Sequence, residues 1–97
     1  MKYELIPTKF FLEQLNELNT TSIRRLREKL ELIKINPFRY KRIHKYDLLL
    51  FRIRFSDKQK EKRVIYFVYG SFIKILCILD RDKNYKDLKK YLKKLGY

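Results

Sequence analysis

The apolar positions of this chain change period midway along its length. In the first part they recur every three or four residues. Phe11, Leu15 and Leu18, with Leu12 beside them, form one stripe, and Ile23, Leu26, Leu30 and Ile33 form a second. That spacing predicts two amphipathic helices. Thr8, directly after Pro7, reads as the N-cap of the first. Asn19-Thr20-Thr21-Ser22 breaks the first helix and caps the second, which stops at Asn36-Pro37. So short a link predicts an antiparallel helical hairpin. From Asp47 the period drops to two. Leu49, Phe51, Ile53 and Phe55 alternate with Leu50, Arg52 and Arg54, the mark of a strand with one strongly apolar face. Ser56–Glu61 is a charged connection suited to a hairpin, and Arg63–Tyr69 is the next strand. Gly70-Ser71 reads as a tight turn. Phe72–Leu79 is apolar on both faces, which predicts a central strand. Tyr3–Ile6, closed by Pro7, predicts a short edge strand. Tyr85, Leu88, Leu92 and Leu95 outline a short basic C-terminal helix, and Phe38–Tyr46 is basic, aromatic and without period.

The element order is therefore β-αα-βββ-α, an α+β fold. An antiparallel sheet carrying the helical hairpin and the short C-terminal helix, packed on one side, buries these stripes best. Ninety-seven residues make a single domain, 1–97. A chain of this size buries roughly 60–70% of its unfolded surface, enough for one core.

Charge narrows the class of partner. Lys and Arg number 25 against 11 Asp and Glu, a net charge of +14. The cations are threaded through the periodic segments, as in a folded basic domain rather than a basic tail. Nucleic acid, an acidic membrane surface or an acidic protein are the natural counterparts. No apolar run approaches the ~20 residues of a membrane span. The start, Met1-Lys2-Tyr3-Glu4-Leu5, lacks the apolar stretch of a signal peptide. The expectation is a cytoplasmic protein with no membrane partner. The single cysteine, Cys77, lies inside an apolar run and is expected to be a buried, inert thiol.

The chain has no Gly-rich phosphate loop and no Cys/His cluster with zinc spacing. His44, in a basic segment, is expected on the surface. Asp80 and Asp82 alternate with Arg81 and Lys83 and are expected to neutralise those cations rather than to hold a metal. No metal or cofactor is expected. What stands out instead is arginine. Arg52 and Arg54 are two apart on one strand and share a face. Arg63 opens the partner strand, Arg81 ends the next, and Tyr85 follows four residues later. An isolated buried cation is costly, so these groups should surface together. A planar, permanently charged fork suits phosphate oxygens.

In the order and spacing of these residues the chain resembles the RelE branch of the RelE/ParE toxin superfamily. That branch carries two basic residues at alternate positions of one strand, matched by Arg52 and Arg54. It has an arginine opening the next strand in an Arg-apolar-x-Tyr pattern, matched by Arg63-Val64-Ile65-Tyr66. An arginine ending the last strand and a tyrosine soon after are matched by Arg81 and Tyr85. The resemblance implies the toxin of a type II toxin–antitoxin pair, a ribosome-dependent endoribonuclease that cuts mRNA in the A site. It also implies an acidic antitoxin partner. The chain departs from the family's commonest pattern in having arginines where lysines stand at 52 and 54, and no histidine after Tyr85.

Metal-free RNA cleavage needs a base at the 2′-OH, cations around the phosphorane and a proton donor for the leaving 5′-oxygen. Arg52, Arg54 and Arg63 are assigned to the phosphate and Arg81 to the leaving group. Tyr85 is assigned as the base or as a stacking platform. Arg39, Lys41, Arg42 and Lys45 are the expected flanking RNA contacts. Two other readings compete: a ParE-like toxin acting on DNA gyrase, and a non-catalytic basic RNA-binding module.

Overall fold

In the computed structural model, residues 3–44, 47–81 and 86–97 are described. Their elements are β1 (Glu4–Pro7), α1 (Lys9–Leu15), α2 (Thr20–Ile35), β2 (Lys41–Ile43), β3 (Leu50–Asp57), β4 (Lys60–Tyr69), β5 (Phe72–Asp80) and α3 (Lys86–Lys94). The strands make one sheet in the order β1-β5-β4-β3-β2.

From β2 to β5 every pairing is antiparallel. The edge strand β1 joins β5 parallel, Glu4 opposite Phe72, so the sheet as a whole is mixed. The cause is the route of the chain. The helical hairpin carries it from one edge to the other, and three reversals then bring β5 back beside β1 in the same direction. β2 is an addition to the predicted elements, since three residues are too few to display an alternation.

Both expected caps form. Thr8 Oγ1 accepts the Phe11 N–H at 3.1 Å and donates to the Leu76 carbonyl at 2.7 Å. Asn19 Oδ1 accepts the Thr21 N–H at 2.8 Å. Where β1 ends, α1 takes over the edge of β5. The Gln14 amide bonds both the Ile78 carbonyl (2.8 Å) and the Ile78 N–H (2.6 Å), standing in for a neighbouring strand.

Strand alternation sorts the core into two halves on opposite faces of the sheet. Phe51, Ile53, Phe55, Val64, Tyr66, Ile73 and Ile75 pack with Phe11, Leu26 and Ile33 of the helical hairpin. Leu50, Ile65, Phe67, Leu76, Cys77 and Leu79 pack with Leu88 and Leu92 of α3. The helices therefore lie on both faces rather than one. The reason is the double-sided apolar pattern of β4 and β5, which leaves a second face that α3 must cover. A register shift beside Ile65/Tyr66 sets one extra residue in β5, and Leu76 and Cys77 both join the α3 side.

Two details fix the hairpin β3–β4. The sequence suggests a connection over Ser56–Glu61, but the strands run on to Asp57 and from Lys60. The turn is only Lys58-Gln59, with φ of 49° and 67°. A two-residue turn with both φ positive matches the twist of the flanking strands. Neither residue is glycine, so the turn carries the left-handed penalty that a side chain brings.

At its base sits Asp57, which is buried. Burial alone raises a carboxyl pKa. Here the Asn19 N–H at 2.9 Å, the Ser22 hydroxyl and the nearby Lys58 and Lys62 cations outweigh it and hold the group below its ordinary 3.8. A carboxyl whose folded pKa is depressed stabilises the fold fully above the unfolded value and loses that contribution as pH falls through the folded one. Asp57→Ala should therefore cost about 1–3 kcal/mol at neutral pH, by stranding the Asn19 donor. The gap between variant and parent should shrink below pH 3.8. Urea titrations across that range check it, and a pH-independent difference would contradict the role.

Candidate nucleic-acid interface

The arginines of β3 occupy the even positions, alternating with the apolar residues that face the helical hairpin. They consequently lie on the α3 face, where they continue the row of Leu50. Register fixes their neighbours. Lys41 of β2 is directly opposite Arg52, and Arg54 is directly opposite Arg63 of β4. Opposed side chains start about 5 Å apart at Cβ, and residues two apart on a strand about 7 Å. Lys41, Arg52, Arg54 and Arg63 thus form one contiguous group. Like charges directly opposite one another destabilise a sheet pair. Placing Arg54 against Arg63 raises the local demand for an anion.

The group opens into a depression of about 460 Å³ lined by Lys29, Tyr40, Lys41, Arg52 and Arg54. Four of the five lining residues are cations and none is a carboxylate. It forms because β2 covers β3 only over Leu50–Arg52 and leaves the remainder of that edge open. Lys29 reaches across the open edge from α2 and donates to the Arg54 carbonyl at 2.6 Å. Arg52, expected at the surface with the other arginines, is instead buried at 9% exposure, whereas Arg54 is exposed. The Arg39 guanidinium lies 5.5 Å from the ring centre of Tyr40, a cation–π distance.

Farther along the same face, Glu61 follows the alternation of Arg63. Its carboxylate meets Arg81 at 2.7 Å, both side chains being about half exposed at 52% and 55%. An exposed pair of this kind is worth little, ~0–1 kcal/mol. Asp80 points to the other face and pairs with Lys62 at 2.7 Å. The cation it neutralises is Lys62 of β4, where Arg81 and Lys83 were the expected partners. Asp82, Lys45 and Tyr85 lie outside the described residues. Arg42 is opposite Phe51, whose ring belongs to the hairpin-side core, so it projects from the other side of β2 than Lys41. His44 is exposed.

Other titratable groups are set apart from this surface. Tyr66 is fully buried and donates to the Pro37 carbonyl at 2.7 Å, and burial raises its pKa well above the ordinary tyrosine value. Cys77 is fully buried, and burial, with Asp87 nearby, pushes its pKa up to about 12. Among the described residues no three His, Cys, Asp or Glu side chains come together as metal ligands, and no helix is long and apolar enough to cross a membrane.

Sequence reasoning missed Lys29 and did not single out Tyr40. Tyr40 sits in the basic aromatic segment already marked as an RNA contact. Lys29 carries no such signal, because only the open edge of β3 brings α2 to this face.

Among known proteins, no family model and no curated sequence matches the chain. Solved structures do. A doubly substituted form of the Escherichia coli toxin RelE in the free state superposes with a TM-score of 0.79 at 15% identity, over 100% of both chains. The isolated E. coli RelE toxin gives 0.68 at 15% identity, over 96% of this chain and 98% of that one. The archaeal RelE of the RelE–RelB complex from Pyrococcus horikoshii gives 0.58 at 21% identity, over 84% and 97%. The chain has the RelE-type toxin fold.

Proposed function

We propose that this chain is the toxin of a toxin–antitoxin pair. It acts as a metal-independent, ribosome-dependent endoribonuclease on mRNA in the A site. The observation that carries the reading is the cationic, carboxylate-free depression beside Arg63, on a fold shared with the E. coli RelE toxin along the whole chain.

In the proposed reaction the 2′-oxygen attacks the adjacent phosphorus, the P–O5′ bond breaks, and a 2′,3′-cyclic phosphate remains. One proton leaves the 2′-OH and one is delivered to the 5′-oxygen. Arg52, Arg54 and Arg63 hold the non-bridging oxygens as charge builds on them. Arg81 stabilises the departing 5′-oxygen after exchanging the weak Glu61 contact for substrate. Tyr85 serves as the base or as a stacking platform. Arginine keeps its proton throughout, so the guanidinium groups contribute charge and positioning rather than proton transfer. Lys41, Arg39 and Tyr40 would grip the flanking strand by phosphate contact and stacking. An acidic antitoxin is the proposed partner, matching the net charge of +14 and the RelE–RelB assembly of the archaeal relative.

The test is expression of the isolated protein, wild type and Arg81→Ala, with primer extension on translated mRNA. The wild type should arrest growth and leave breaks at A-site codons. Arg81→Ala should reduce cleavage at least about 100-fold, as for loss of a transition-state charge stabiliser. Growth arrest with intact mRNA and damaged DNA would favour a gyrase poison instead. A harmless wild type would leave a binding module.

A further inference from the structure

The helix α3 has two unlike flanks. Leu88 and Leu92 are its buried ridge. On one flank the Tyr91 ring packs at a tilt of 42° against Phe10 of α1, ring centres 4.6 Å apart, and Asp87 and Tyr91 line a cavity with Gln14. That flank faces the β5 edge of the sheet. Residues two further on, Lys89 and Lys93, stand about 200° around the helix from Asp87 and Tyr91. They therefore project from the opposite flank, toward β4 and β3, on the same sheet face as Arg63, Arg54 and Arg52. Lys90 and Lys94 point away from this side, and Lys94 lines the groove against Lys9 and Glu13.

Lys89 and Lys93 are exposed. Among the described residues neither makes an ion pair. They are i,i+4 like-charge neighbours, an arrangement that weakens a helix unless something offsets it. We infer that Lys89 and Lys93 form the wall of a trough whose floor is the arginine group, and that this wall holds the backbone of a single RNA strand leading from the scissile phosphate. The inference rests on the proposed ribonuclease reading and extends it from one linkage to a strand path. The nine residues of α3 rise about 13 Å, room for a few successive phosphates of a strand.

The probe is a short 2′-O-methylated oligouridine, which lacks the attacking hydroxyl and binds without being cut. Its affinity is measured against salt for the full chain, for Lys89→Gln/Lys93→Gln and for Lys90→Gln/Lys94→Gln. The two double variants lose the same charge from the same helix and relieve the same i,i+4 repulsion, and their melting midpoints confirm folding. Losing two phosphate contacts should flatten the log–log salt slope by about 1.4 and weaken binding about 25-fold near 0.1 M salt. That loss is expected for Lys89→Gln/Lys93→Gln alone. Equal effects of the two pairs, or none from either, would overturn the trough. So would polyglutamate binding that discriminates the pairs when RNA binding does not, since the wall would then serve an acidic protein. Arg54→Ala separates the two levels. Undiminished cleavage of an unmodified RNA by that variant defeats the ribonuclease reading, whereas lost cleavage there with no role for Lys89 and Lys93 in binding defeats only the strand path.

Discussion

Replacing Arg54 with alanine is expected to lower RNA cleavage about 100- to 1000-fold, the usual loss when one preorganised oxyanion partner is removed. The fold should not suffer with it. Arg54 is exposed, and its cross-strand neighbour is Arg63. Removing one member of an opposed like-charged pair relieves repulsion worth a few tenths of a kcal/mol. Lys29 bonds the backbone carbonyl of residue 54, which alanine retains. The melting midpoint should therefore stay level or rise slightly while activity collapses. Parallel melting curves and cleavage rates check this. A variant that loses stability and activity together would mark Arg54 as structural. Arg54→Lys adds a second reading of the same site. Charge is kept but the planar fork is lost, so activity should fall between the two.

The second large effect concerns Tyr66. Its ring stacks on Phe51 at 5.4 Å within the hairpin-side core, and its hydroxyl donates to the Pro37 carbonyl at 2.7 Å. Tyr66→Ala should cost about 3–5 kcal/mol, as for other large aromatic truncations. In a domain of this size that corresponds to a fall of roughly 12–40 °C in melting midpoint. Tyr66→Phe keeps the ring and strands only the Pro37 carbonyl, at about 1–3 kcal/mol. Because Pro37 leads into Tyr40 and Lys41, the phenylalanine variant should also loosen the approach to the depression. RNA affinity should then drop in Tyr66→Phe by more than stability alone explains. A near-native midpoint for Tyr66→Ala would contradict the packing described.

How legible these features were in the sequence depends on the range of the interactions that made them. The helical stripes, the Thr8 and Asn19 caps, the alternation of β3 and the double-sided apolar run of β5 are local, and each was readable from a window of a few residues. The side of the sheet that α3 covers was not. It is decided by competition between two apolar faces of β4 and β5, and by the extra residue that turns both Leu76 and Cys77 to one side. The parallel pairing of β1 follows from the path of the whole chain. The convergence of Arg52, Arg54 and Arg63 was legible because strand parity and hairpin register are near-local rules. The contribution of Lys29 was not, since it depends on β2 being too short to close the edge of β3. Nor was the contact of Arg81 with Glu61, which needs the register of β4 on β5.

Cys77 has a practical corollary. The chain's sole thiol is sealed within the α3-side core and stays protonated far beyond neutral pH. Thiolate is the reactive form, so thiol-directed alkylating agents and glutathione disulfide find no reactive sulfur at Cys77 on the folded molecule. A single cysteine introduced at the trough rim would accept a spin label or fluorophore alone, with the native sulfur left in place.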